Sequence, residues 1–273
     1  MRRAYLSTVT WSLALLAMLA APRVGVADAR PVVQQAPSAS YHEKIAGSLV
    51  SFEMVLVPGT PGVYLGRTEV TWDLYDIFAL GIDVPAGAQG GADAIARPSE
   101  PYGAPDRGWG HAGYPVMSVT REAAEAFCQW LSARTGKAYR LPTEAEWTRA
   151  AQRAADATRL AAGRREALAW HRDNSTGTTH PVGTRAADAA GLFDLFGNVA
   201  EWVTTEDGAR IVRGGSFRDA ADDVGPGARS VQDATWNQTD PQLPKSRWWL
   251  SDGSFVGFRV ARSVTPGDVW RQP

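Results

Sequence analysis

Thiols are almost absent from this sequence: Cys128 stands alone among 273 residues. One cysteine cannot close a disulfide within the chain. An excess of either charge is missing as well. Lys+Arg number 28 against 29 Asp+Glu, a formal net charge of −1, and no basic patch stands out. That excludes nucleic acid as an expected partner. Long apolar runs are also lacking. The one from Trp11 to Ala21 falls short of the ~20 residues that span a bilayer, and no lipid-acceptor cysteine lies near it. There is no Gly-x-Ser-x-Gly elbow, no His-Glu-x-x-His helix and no Lys-Ser/Thr phosphate loop, so three common catalytic devices are excluded by motif. No repeat at fixed spacing and no interdomain linker is visible.

Arg2 and Arg3, the short apolar run and Ala27-Asp28-Ala29 together form a secretory signal peptide. Residues 1–29 are expected to be removed, leaving an exported protein, periplasmic or secreted, with no membrane attachment after cleavage. Residues 30–47 are polar and proline-bearing and read as a flexible leader. Residues 48–263 are long enough to bury one sizeable core, and 264–273 read as a loose tail.

Within the domain, Leu49–Val57 and Val63–Val70 read as strands around a turn at 58–62. Thr71 is expected to cap a helix reaching Leu80. Residues 81–114 are rich in Gly and Pro and lack periodicity; His111 lies here, and a lone loop histidine is most often solvent-exposed. From Thr120 the apolar residues Ala123, Ala124, Phe127, Cys128 and Leu131 follow helical spacing, with Gly136 as the stop. Cys128 on that face reads as a small core residue. Thr143 and Glu146 form a capping box for a further helix, which the Ala- and Arg-rich residues 152–168 extend. Short strand-like pieces alternate with loops after Arg210. A few helices, many short strands and much irregular backbone fit a mixed α+β class rather than a parallel α/β sheet.

The stretch Gly191–Val203 (GLFDLFGNVAEWV) runs an apolar segment into a glycine turn. It has two readings from residue type. Asn198 followed by Glu201 is a helix N-cap with its capping-box partner. Alternatively, carbonyls turned inward after Gly197, with the Glu201 carboxylate, suit a hard cation.

This stretch resembles the GLYDMxGNVWEW segment of the formylglycine-generating enzyme family, the sulfatase-modifying factors. Four more segments agree in order: Gly66–Thr71 (GRTEVT), Tyr139–Trp147 (YRLPTEAEW), Val212–Phe217 (VRGGSF) and Val256–Val260 (VGFRV). The resemblance implies the C-type-lectin-like variant of the α+β class. It implies calcium held by Glu201 and the carbonyls of Phe196, Gly197 and Val199. The short loop bearing Asp173, Asn174 and Asp188 stands where the family binds another calcium. Ser216 and Trp202 match residues of the family's pocket, and Arg259 matches a structural arginine.

In the family's oxidases two cysteines, three and eight residues past the motif serine, hold copper(I). Here those positions are Asp219 and Val224. Neither is a thiolate, so copper-dependent formation of formylglycine is not expected. Asp219, Asp222 and Asp223 read either as acid/base or cation-binding groups or as a polar surface loop. Trp248, Trp249 and Phe255 are candidates for a pocket wall or for the core. Ser216, Asp219 and Trp202 are the catalytic candidates. The resemblance implies a divergent, cysteine-free enzyme acting on a peptide-like substrate, like the family's relative in pyoverdine maturation. The alternative is a non-catalytic, calcium-stabilised binding or scaffold domain.

Overall fold

The computed structural model describes residues 40–57, 62–83, 97–99, 103–158 and 162–264. The expected signal peptide, the turn residues 58–61 and the tail beyond Val264 lie outside the described residues.

Among the described residues, two sheets and four α-helices make up the fold. Chain order gives β1 (Ser40–Lys44), β2 (Ser51–Leu56), β3 (Val63–Gly66), α1 (Trp72–Ala79), α2 (Arg121–Thr135), β4 (Tyr139–Arg140), α3 (Glu144–Thr158), α4 (Ala162–Leu168), β5 (Ala200–Val203), β6 (Ile211–Gly214), β7 (Gly225–Val231), β8 (Val256–Gly257) and β9 (Ala261–Ser263). The first sheet has the order β1-β2-β3-β9-β4 and the second β7-β6-β5-β8. Pairing is antiparallel except between β5 and β8. Few helices, short strands and long irregular connections make this the mixed α+β fold expected.

Helix α2 forms as its spacing dictates. The Thr120 hydroxyl accepts from Ala123 N at 3.1 Å, and Gly136 ends the helix at φ 68°. Its apolar stripe, Cys128 included, is buried against α1 and the aromatic core. Phe127 stacks on Tyr75 at 5.7 Å, and full burial of such a ring is worth about 1.5–3 kcal/mol. The box at α3 is formed from both sides: Glu146 Oε2 accepts from Thr143 N (2.9 Å), and Thr143 Oγ1 accepts from Glu146 N (3.2 Å).

Two expectations are corrected. The flexible leader does not extend to residue 47, because Ser40–Lys44 pairs with β2 from Ser40↔Val55 to Lys44↔Ser51. Its polar residues find partners: buried Glu43 accepts from Lys137 Nζ at 2.7 Å and from the Tyr139 hydroxyl. The helix-cap reading of Asn198 and Glu201 also fails. Glu201 lies in strand β5 opposite Arg213, and Asn198 N donates to Trp170 O rather than to the Glu201 carboxylate.

Candidate functional site

The Gly191–Val203 stretch turns sharply at two successive left-handed residues, Gly197 (φ 78°) and Asn198 (φ 49°). Any side chain at Gly197 would collide with Trp170, whose carbonyl oxygen lies 2.2 Å from the position of a Cβ. Asn198 is fully buried and locks the turn. Its Nδ2 donates to Glu69 Oε2 (2.9 Å), its Oδ1 accepts from His180 N (3.0 Å), and Glu69 Oε1 accepts from Val199 N (3.0 Å). The Gly66–Thr71 and Gly191–Val203 segments are thereby joined through Glu69.

Glu201 is equally buried. Arg259 Nε and Nη2 reach its carboxylate at 2.5–2.8 Å, and Trp147 Nε1 donates to Oε2 at 2.8 Å. Arg259 also donates to the carbonyls of Gly66 and Phe193. Glu69, Asp194 and Glu201 thus share one buried guanidinium. Burial first, and then the charges of Asp194 and Glu201, drives the Glu69 carboxyl well above the usual range. Burial pushes Asp194 up to about 6. For Arg259, burial acts to lower the pKa, but the charge and hydrogen bonds of Glu201 hold it above its ordinary value.

These residues fit the implied calcium in part. Negative charge exceeds positive in the cluster, and Asp194 Oδ1 is buried without a hydrogen-bond partner among the described residues. The Glu201 carboxylate, however, already spends most of its roughly four lone-pair directions on Arg259 and Trp147. Among the described residues no group of three or more His, Cys, Asp or Glu is arranged to hold a metal. Asp173, Asn174 and Asp188 do not converge. Asn174 Oδ1 accepts from His171 N, Asp188 Oδ1 accepts from Ala190 N and Leu192 N, and the Asp173 side chain is largely exposed.

The catalytic candidates come together only in part. Ser216 and Trp202 are both at 0% exposure, and Asp219 is half-buried. Asp219 Oδ2 accepts from Ser216 N (2.7 Å) and Ser216 Oγ (2.9 Å), while its carbonyl accepts from Arg172 N (2.9 Å). The carboxylate at the first cysteine position therefore ties down its own turn. At the second, Val224 is buried and packs on Gly215. Trp202 donates to Val119 O and packs on Trp236 within the core, away from Asp219's turn. Asp222 is exposed and pairs with Arg165; Asp223 is exposed too, so the acidic run reads as surface. Burial raises the Cys128 thiol far above its ordinary range, which leaves no thiolate.

A cavity of about 270 Å³ opens over Trp249 and Leu250, with Arg107, Ser118, Gln242 and Ser246 among its walls. Trp249 stacks on Trp72 at 6.4 Å and serves as both core and cavity floor; Trp248 is core only. Arg107 lines this cavity and Arg218 is held to Ser254 just beyond its Ser251 wall, and no sequence motif marks either. They converge only through folding, and their shared signal in sequence is nil.

The model of the sulfatase-modifying factor enzyme 1-like domain matches residues 59–264. The chain belongs to that family. It is 39% identical over 110 residues to the formylglycine-generating enzyme of Mycobacterium tuberculosis, covering 35% of this chain and 34% of that protein. It is 31% identical over 178 residues to the inactive Cα-formylglycine-generating enzyme 2 of Bos taurus, covering 57% of this chain and 53% of that protein. The chain thus spans between a third and about half the length of these relatives. Among solved structures, Treponema denticola variable protein 1 superposes with a TM-score of 0.60 at 23% identity, covering 84% of this chain and all of that one. PvdO from Pseudomonas aeruginosa superposes with a TM-score of 0.50 at 20% identity, over 84% and 92%. At these identities the superpositions report the fold alone.

Proposed function

We propose that this family member is an exported binding domain for a peptide-like ligand and does not carry out copper-dependent thiol oxidation. One observation carries the reading. Asp219 stands where the family's oxidases place a copper-ligating cysteine, and its carboxylate is spent on closing the Ser216 turn. Hard carboxylate oxygen does not replace soft thiolate for copper(I), and Val224 offers no ligand at all. Structural calcium at the Gly197 turn, held by Glu201 and the carbonyls of Phe196, Gly197 and Val199, is part of the same proposal. Its role is to offset the buried carboxylates.

The chemistry can be tested directly. Purified protein is incubated with copper, reductant and a peptide bearing the cysteine motif of sulfatases, and the aldehyde is sought by mass spectrometry. No enzyme-dependent aldehyde is expected. Aldehyde formed at an enzyme-dependent rate that survives Cys128→Ser overturns the reading. The catalytic alternative rests on Asp219 alone, since it is the one candidate of the three that reaches solvent.

A further inference from the structure

Two arginines from distant parts of the chain are held on one turn: Arg107 lines the Trp249 cavity, and Arg218 lies next to it on Ser254. Arg107 lies in the loop before Tyr114; its Nη2 donates to Ser251 O at 2.5 Å, and its guanidinium lies 6.0 Å from the Trp109 ring centre. Arg218 follows Phe217 in the loop after β6. Its Nη2 donates to Ser254 Oγ at 2.6 Å, and it packs against the rings of Phe255 (5.0 Å) and Phe217 (5.7 Å). Trp109 meets Phe217 edge-on at 5.4 Å, so the two loops are in contact. Both guanidinium heads are pinned to one short turn, Ser251–Ser254.

The pins are neutral oxygens. Among the described residues neither arginine forms an ion pair with a carboxylate. Two acids lie near Arg218, and both are spent elsewhere. Asp219 holds the Ser216 turn, and Asp252 accepts from Thr239 N, Thr239 Oγ1 and Ser251 Oγ. Burial, and next the positive charge of Arg107, holds Arg218 below the ordinary arginine range. Two like charges fixed side by side are unfavourable until an anion joins them. Guanidinium forks match the planar geometry of a carboxylate, two bonds at a time. Arg107 also sits at φ 53°, a left-handed conformation uncommon for a residue with a side chain.

We propose that Arg107 and Arg218 clamp a carboxylate of a short acidic peptide whose neighbouring apolar side chain rests in the cavity on Trp249 and Leu250. Ser118, Gln242 and Ser246 on the cavity wall supply hydrogen-bonding groups for the peptide backbone, and among the described residues the one carboxylate on that wall, Asp240, is spent on Asn237 Nδ2, Gln242 N and Ser246 N. The inference rests on the binding role proposed above and specifies its ligand: an anionic peptide, recognised through its carboxylate.

The test is calorimetric titration of the whole protein with three pools of blocked hexapeptides. One carries Asp or Glu beside an apolar residue, one the matching Asn or Gln, and one is neutral apart from a free terminal carboxylate. The acidic pool should bind at least tenfold more tightly than the amide pool and weaken as salt is raised. Arg107→Gln and Arg218→Gln should each cost at least tenfold, with Arg218→Lys in between because it keeps the charge and loses the fork. Arg107 and Arg218 are both exposed, so either variant is expected to fold. Equal affinity of the free-terminus pool, with the same losses, supports the clamp and assigns the carboxylate to a chain end. Equal binding of the amide pool, or variants that bind like wild type, overturns the clamp and leaves the peptide-binding role standing. No binding by any pool overturns both.

Discussion

A single guanidinium answers three carboxylates at the centre of the molecule. Removing one partner of a buried pair leaves the other uncompensated and costs about 3–5 kcal/mol, so Arg259 and Glu201 stand or fall together. Glu69 and Asp194 remain over. Burial places their protons above the usual carboxylate range, so they favour the folded state when protonated and weigh against it as pH rises. A bound cation removes that penalty, which is the physical case for calcium. Binding to the folded state alone stabilises by RT ln(1 + [L]/Kd), about 2.7 kcal/mol at a hundredfold excess. Chelator should therefore lower the melting temperature relative to excess calcium, and Glu201→Gln should abolish the difference. Identical melting of the wild type in both would mean that Arg259 and protons alone neutralise the cluster.

Helix α1 and the loop before Tyr114 are joined by one histidine. His111 Nε2 meets Asp76 at 2.7 Å, its Nδ1 meets Asp106 at 2.9 Å, and its ring stacks on Trp72 at 5.2 Å. Burial acts to lower its pKa, but the hydrogen bonds and charges of Asp76 and Asp106 prevail and raise it. A raised folded-state pKa means the contribution is fully present below the unfolded value of about 6.5 and is lost as pH rises through the folded value. NMR titration should give a His111 pKa above 6.5, and His111→Asn should flatten the stability profile just above that pH. A His111 pKa at or below 6.5 would contradict this pairing with Asp76 and Asp106. The sequence had suggested only an exposed loop histidine, since Asp76 lies 35 residues away.

The same limit explains the other differences between sequence and fold. Signals carried within a turn or two, such as the Thr120 cap, Gly136 and the Thr143–Glu146 box, are legible because both partners are local. Asn198 and Glu201 have the same spacing as a cap, but the ladder to Arg213 and Gly257 makes Glu201 a strand residue, and its carboxylate is met by Arg259, 58 positions on. Ser40–Lys44 is polar enough to pass for a leader until β2 supplies its ladder. The site was legible as a set of motifs, but burial was not. Nothing local told that Ser216 and Trp202 face inward while Arg107 and Arg218 meet outside.

Export belongs to the whole molecule. The mature protein should begin near Arg30 by mass spectrometry, and an intact cytoplasmic chain starting at Met1 would overturn it. The proposed export would carry the chain across a membrane before it acquires its shape, which bears on the order in which its sheets can be assembled. Strand β9 lies between β3 and β4, and among the described residues β4 pairs with no other strand of that sheet. Until Ala261–Ser263 has been delivered, the first four strands of the sheet in chain order remain divided into an unclosed β1-β2-β3 ribbon and an unpaired Tyr139–Arg140. The parallel pairing of β5 with β8 likewise waits for Val256. Both sheets are completed by the last stretch of the domain to emerge, so a chain arrested short of residue 256 would present open edges and an exposed aromatic core to whatever chaperone or protease meets it first.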